Sequence, residues 1–352
     1  MNDLMSAPAE DRSVVFRTAA NERGIGSALI EKDFWVCWLL RVLFQPAAYG
    51  EMVFKGGTSL SKAYAAITRF SEDVDLSLPP AIVPSLEEVT FTAEMGGTAR
   101  KRATEHLGQA LIAWAKAEAS GGLRERVMES LPAALRAGVD LTAVEPPADG
   151  EPGTILVSFP RVLEQRLYDQ ARYMKQEVKL EFGARSPTSP WEMAAVAPYC
   201  APVTDQRSPA WETTVRVLTL ERTFWEKATA VHSLNQRGLQ ERTEGQSRHF
   251  ADLAQLAHLP RGVAAARDLA ALQQVADDKA RLYHSASSRY DLARRGELML
   301  VPRPEDIAWL RRDYELTKQM YFRDPQPLEE MLATLTDLSR RVATMAAPLP
   351  SE

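Results

Sequence analysis

Residues Phe54–Leu78 read FKGGTSLSKAYAAITRFSEDVDLSL, and this stretch decides the fold. A short apolar run, Met52, Val53 and Phe54, leads into Gly56-Gly57-Thr58-Ser59, a helical stretch follows, and Asp73 and Asp75 then alternate with Val74 and Leu76. Successive side chains of a strand point to opposite faces, so Asp73 and Asp75 share one face while Val74 and Leu76 face the core. Two adjacent carboxylates resist ionising together unless a cation lies between them. Carboxylate oxygens suit Mg²⁺, with Mn²⁺ as a substitute. A Gly-Gly-Thr-Ser turn at a helix start offers backbone N–H groups and hydroxyls to a phosphate. Metal-holding acids beside a phosphate-holding turn point to phosphoryl or nucleotidyl transfer.

The rest of the chain is consistent with a soluble, two-domain protein. Its 352 residues leave room for two domains. A hydrophobic share of 45% with 25% charged residues is ordinary for a globular chain. The longest apolar run, Phe34 to Leu40, is far shorter than the roughly 20 residues that span a bilayer. The N-terminus lacks the order of a signal peptide. Cys37 and Cys200 are the only cysteines, so no disulfide framework is expected, and the cytoplasm is the expected compartment. A net charge of −5 argues against general coating of nucleic acid but allows a local basic surface.

Periodicity predicts helices over Glu10–Arg23, Ser27–Phe44 and Thr98–Ala119, and a shorter helix ending near Ala137. Strands are predicted at Thr154–Phe159 and Gln176–Phe182, with Arg161–Tyr173 ambiguous between them. Composition makes Glu145–Gly153 (EPPADGEPG) a loop, and the prolines of Ala184–Trp211 make that segment an extended connector. The expected organisation is a mixed α/β domain over 1–212 and a helical domain over 213–352 that completes the active-site cleft.

KGGTSLSKAY followed by RFSEDVDLSL resembles the nucleotidyltransferase toxins of the AbiEii type, from type IV toxin–antitoxin and abortive-infection systems. IEKDFWVCWLLRVLF (30–44), VKLEFG (178–183), TLERTFWEKATAVHSL (219–234) and SRHFADLAQL (247–256) resemble further blocks of that family, in the family's order. The spacer of fourteen residues between Thr58 and Asp73 is like that of this branch and unlike the shorter one of antibiotic-modifying enzymes. The resemblance implies a polymerase-beta-like nucleotidyltransferase fold, with an NTP as substrate and Mg²⁺ as cofactor. It implies that Lys227 contacts the triphosphate and that Asp252 helps position nucleotide or acceptor. It also implies the 3′ end of tRNA as acceptor and a cognate antitoxin encoded nearby.

Other residues are candidates with plainer readings beside them. Glu181 shares a strand face with Lys179 and is either a third metal ligand or half of a solvent-facing Lys–Glu strand. Lys227 and Asp252, read by residue type alone, are solvated helix charges. Arg69 either grips the triphosphate bidentately or neutralises Asp73, and Ser71 either caps the turn or supports the site. Histidines 106, 232, 249, 258 and 284 lack zinc-ligand spacing. Lys279–Arg323 carries ten Lys/Arg against six Asp/Glu, with tyrosines and Trp309 interleaved. That pattern fits either an RNA surface or amphipathic helices with charged outer faces. Transfer to a protein or small molecule, and NTP binding without transfer, remain alternatives to transfer onto RNA.

Overall fold

Three helices precede the motif: α1 (Asn2–Ser6), α2 (Ala9–Arg23) and α3 (Ser27–Leu43). Gly24 ends α2 in a left-handed conformation (φ 68°), its N–H donating to Ala20 O. α3 is buried on almost every side, including Phe34, Trp35, Trp38 and Leu40, which marks a central core helix. Glu31, Lys32 and Asp33 are buried in it as well. Glu31 accepts from Val162 N at 2.6 Å and from the Tyr168 hydroxyl at 2.7 Å. Asp33 accepts from Tyr199 N at 2.6 Å, and its other oxygen lies 2.7 Å from Lys62 Nζ, an ion pair in distance though off hydrogen-bond angle. The Lys62 ammonium also stands 3.5 Å above the Tyr199 ring. The computed structural model describes residues 1–45, 48–71, 73–84, 86, 91–92, 95–145, 153–170, 175–185, 187–201, 209–239, 245–283 and 285–347.

The following elements are β1 (Val53–Lys55), α4 (Gly56–Lys62), β2 (Asp73–Ser77), α5 (Gly97–Ser120), α6 (Gly122–Ser130), β3 (Asp140–Val144), β4 (Gly153–Ser158), α7 (Gln165–Gln170), β5 (Glu177–Gly183), β6 (Trp191–Val196) and β7 (Thr213–Leu218). The strands form one seven-stranded mixed sheet in the order β3-β4-β5-β2-β1-β7-β6. β2 runs antiparallel to β1 and parallel to β5, at the centre of the sheet. Its Val74 and Leu76, with Val178, Leu180 and Phe182 of β5, are fully buried. Trp114 of α5 packs edge-on to Phe182 at 4.9 Å. The architecture is thus mixed α/β, as expected from the sequence.

Three strands escaped the sequence reading. β6 lies inside the stretch expected to be an extended connector, and pairs with β7 along its whole length. β7 occupies residues expected at the start of the helical half. Its alternation is period two, with Thr213, Val215 and Val217 buried and Thr214 and Arg216 less so, but it abuts a helix that blurs the pattern. β3 is a five-residue edge strand in which only Leu141 is buried. The ambiguous Arg161–Tyr173 segment holds α7. Residues 146–152 of the expected loop, 202–208 of the connector and His284 lie outside the described residues.

The last part of the chain contains α8 (Leu220–Arg237), α9 (Ser247–His258), α10 (Pro260–Ala265), α11 (Leu269–Leu282), α12 (Tyr290–Arg294), α13 (Ile307–Thr317) and α14 (Leu328–Ala346). The chain divides into two compact units. One comprises Met1–Tyr64, Phe70–Thr90 and Met95–Leu218; the other comprises Ala65–Arg69, Phe91–Glu94 and Thr219–Glu352. The first unit thus runs to Leu218, and a short piece of the motif's own spacer groups with the helices. In that unit Thr68 N and Oγ1 donate to Gln255 Oε1, and Phe322 N donates to Thr68 O at 2.9 Å. α14 buries Leu328, Met331, Leu335, Leu338 and Val342 at helical spacing. Among the described residues no helix is long and apolar enough to cross a membrane.

Removing one partner of a buried ion pair leaves an uncompensated charge. Asp33→Asn keeps the acceptor for Tyr199 N but strands the Lys62 ammonium, and should destabilise the sheet-bearing unit by about 3 kcal/mol in urea unfolding. Asp33→Leu with Lys62→Met should recover most of that loss. A single variant as stable as wild type would show that the pair contributes little.

Candidate functional site

β1 delivers the chain into α4 with no side-chain cap: Lys55 is the N-cap and makes no capping hydrogen bond through its side chain. Gly56 has φ +77°, and a Cβ there would fall 2.0 Å from Asp75 Oδ2. Only glycine therefore fits where the helix start meets the Asp75 carboxylate. The hydroxyls of the turn are engaged internally. Thr58 Oγ1 donates to Ser71 O at 3.1 Å and also to Asp73 O, while Ser59 Oγ donates to Gly56 O at 2.9 Å. Thr58 therefore ties the start of α4 to the entry of β2. What this turn can present to a phosphate is its backbone N–H groups at Gly56 and Gly57 rather than these two hydroxyls. Ser71 contributes its carbonyl to that tie.

Asp73 and Asp75 are half-buried on the face of β2 opposite Val74 and Leu76. Register places Lys179 directly across from Asp73, and Glu181 directly across from Asp75. Lys55 of β1 stands across from Asp75 on its other side. The structure thus brings Glu181 to the same face as both aspartates, and pairs its Oε1 with Lys179 Nζ at 2.5 Å. Partial burial alone would lower the Lys179 ammonium. Asp73, then Glu181 and Asp75, outweigh it and raise the group above its ordinary value. Among the described residues no set of three or more His, Cys, Asp or Glu side chains is arranged to hold a metal ion. The donor chemistry of Asp73 and Asp75, two carboxylates on one face, fits a single hard divalent cation.

The second set of candidates lies in the helical unit. Asp252 of α9 is buried, which removes the reading of a helix-surface carboxylate. Arg69 grips it bidentately, Nε to Oδ1 at 2.7 Å and Nη2 to Oδ2 at 2.7 Å. Lys227 Nζ of α8 donates to Oδ2 at 2.8 Å and lies 3.3 Å from His249 Nδ1. The guanidinium therefore meets a protein carboxylate in the way that it was expected to meet a triphosphate. Burial alone would raise the Asp252 carboxyl, yet Arg69 and Lys227 hold it well below the usual carboxylate range. Burial lowers the Lys227 ammonium against the pull of Asp252. Burial, then Lys227 and Arg248, push the His249 imidazole well below its ordinary value. Asp313 holds the start of α9 by accepting from Ser247 N at 2.7 Å.

Lys179, Lys55 and His249 were not singled out from the sequence as site residues. The signal for the lysines was period-two alternation, which placed Lys179 beside Glu181 but said nothing of the strand across from it. His249 lies beside Lys227 because two helices pack, and no spacing in the chain announces that. In the arginine-rich segment Lys279–Arg323, Arg289 pairs with Asp291, Arg294 with Asp277, Arg295 with Glu297 and Arg311 with Glu329. Tyr314 is buried. These features favour amphipathic helices with ion-paired outer faces over an RNA surface there.

In the unfolded chain His249 takes up a proton below about pH 6.5, whereas in the folded unit it does so only at lower pH. Its contribution to stability is therefore complete above that value and is lost as the pH falls through it. Asp252, with its depressed carboxyl, adds stability that is complete above about pH 4 and is lost on further acidification. Melting temperature should accordingly fall from pH 7 to 5 and drop more steeply below 4. His249→Gln should make the first decline shallower, with His232, lowered mainly by burial, contributing the remainder. Unchanged slopes in the variant would contradict this assignment.

Residues 38–336 match the family model described as nucleotidyl transferase AbiEii toxin, type IV TA system. No curated protein matches the chain. Among solved structures it is similar to MenT4, a nucleotidyltransferase toxin from Mycobacterium tuberculosis H37Rv, with 17% identity and a TM-score of 0.41, over 95% of this chain and 97% of that one. Because the family match runs through the paired aspartates and both later blocks, this protein belongs to the AbiEii nucleotidyltransferase toxins of type IV toxin–antitoxin systems.

Proposed function

We propose that this nucleotidyltransferase is a Mg²⁺-dependent toxin that transfers nucleotides from an NTP to RNA, at the 3′ end of tRNA, and so halts translation. The observation that carries the chemistry is the shared face of Asp73 and Asp75 in β2, with Gly56 set against Asp75. Asp73 and Asp75 would hold the cation, and the backbone N–H groups of Gly56 and Gly57 would face the triphosphate. A divalent ion bound there supplies positive charge for the α-phosphate and for the departing pyrophosphate. The acceptor hydroxyl forms its bond to the α-phosphorus as the bond to the β-phosphate oxygen breaks, and the hydroxyl proton passes to a carboxylate or water nearby. Lys227 would give the triphosphate a compact positive charge, with Asp252 and Arg69 fixing its position.

The type IV family implies an NTP substrate and a cognate antitoxin. The acceptor rests on the family resemblance of the sequence and the cytoplasmic location on its two cysteines, and the ion-paired arginines of 279–323 give tRNA no specific support. Incubation of the purified protein with each labelled NTP, Mg²⁺ and total tRNA separates the readings. Label on tRNA supports the proposal. Label on protein or on a small molecule replaces the acceptor, and tight NTP binding without transfer removes the enzymatic reading. Asp73→Asn should lower transfer by at least about 10²-fold and abolish growth inhibition while the protein stays folded. Lys227→Met should also abolish toxicity, with limited loss of stability because Arg69 still grips Asp252. A folded, toxic Asp73→Asn protein would contradict the mechanism.

A further inference from the structure

The carboxylate face of β2 carries cations of its own. Across the sheet the side chains form two short rows on that face. One row is Lys55, Asp75 and Glu181, on β1, β2 and β5; the other is Asp73 and Lys179, on β2 and β5. Directly opposed residues on neighbouring strands have side chains within reach of one another. Lys179 stands across the strands from Asp73, and along its own strand it pairs with Glu181, where Nζ and Oε1 are 2.5 Å apart. The two rows therefore hold three carboxylates and two ammonium groups, a formal balance of one negative charge.

Two divalent ions held by a common set of acids need those acids open to both. Here the third acid is already engaged by Lys179, and among the described residues no trio of acids is arranged for a metal ion. We infer that Lys179 is the resident counter-ion of this face, holding Glu181 out of the metal set so that Asp73 and Asp75 take one divalent ion per chain. The inference rests on the metal-dependent reading proposed above. An ammonium on the strand directly across from Asp73 opposes a second dication on this face, since like charges at a half-buried site repel more strongly than in water. Glu181 is then a positioning residue, which keeps the ammonium beside Asp73 rather than in solvent. The sequence pattern Lys179-Leu180-Glu181 contains both halves of the device on one strand face.

Titration of the full chain with Mn²⁺ alone, following the free ion by EPR, tests this directly. Wild type should bind one Mn²⁺ per chain. Lys179→Met should bind a second ion, or bind the first at least about tenfold more tightly, and Lys179→Arg should behave as wild type. In the Lys179→Met background, Glu181→Gln should reverse the gain, because the released carboxylate is its source. Lys179→Gln provides the same measurement should the Met variant fail to fold. Two Mn²⁺ of similar affinity in wild type, or unchanged binding in both neutral variants, overturns the counter-ion. Asp73→Asn separates the two levels: Mn²⁺ binding that survives it overturns the metal site itself, whereas its loss leaves only the role of Lys179 in question.

Discussion

Strand β2 has to satisfy two environments at once, and the rest of the sheet-bearing unit follows from that. Val74 and Leu76 must enter the core with the apolar side chains of β5, so period-two geometry forces Asp73 and Asp75 onto the opposite face. A shift of one residue would bury both carboxylates and expose both aliphatic side chains, so burial holds the register. Thr58 adds a second constraint by tying α4 to the entry of β2 through Ser71 O and Asp73 O. Gly56 completes it, because any side chain there would collide with the Asp75 carboxylate.

The helical unit solves a different problem. A carboxylate as deeply buried as Asp252 is costly unless its lone pairs are filled, and here Arg69 and Lys227 fill them. Arg69 comes from the spacer between the Gly-Gly-Thr-Ser turn and the aspartates, so the motif's sequence contributes to both units. The Arg69–Asp252–Lys227 arrangement gives this network a structural role whatever its role toward nucleotide. Loss of toxicity on changing any of the three therefore needs a stability measurement beside it.

Much of this was legible in the chain. The helices α2, α3 and α5 and the strands β4 and β5 followed from periodicity and from glycine stops, because each is long or strictly alternating. β3, β6 and β7 were not, since short strands next to prolines or abutting a helix lack a window long enough to show their period. Asp73 and Asp75 were readable as a same-face pair because that needs only one strand. The engagement of Glu181 by Lys179, and of Asp252 by Arg69 and Lys227, depends on register and helix packing between segments distant in sequence. Residue type and spacing carry no record of such partners, which is why Arg69 was paired in expectation with Asp73 or a triphosphate.

The central claim is that the β2 face supports transfer of a nucleotidyl group rather than of a phosphate. Parallel reactions with tRNA, Mg²⁺ and NTP labelled either at the α- or at the γ-phosphate decide it. The account predicts α-label in the RNA, γ-label only in released pyrophosphate, and neither transfer with Asp73→Asn. Label from the γ-position in the acceptor, or α-label incorporated equally well by the Asp73→Asn protein, would contradict it.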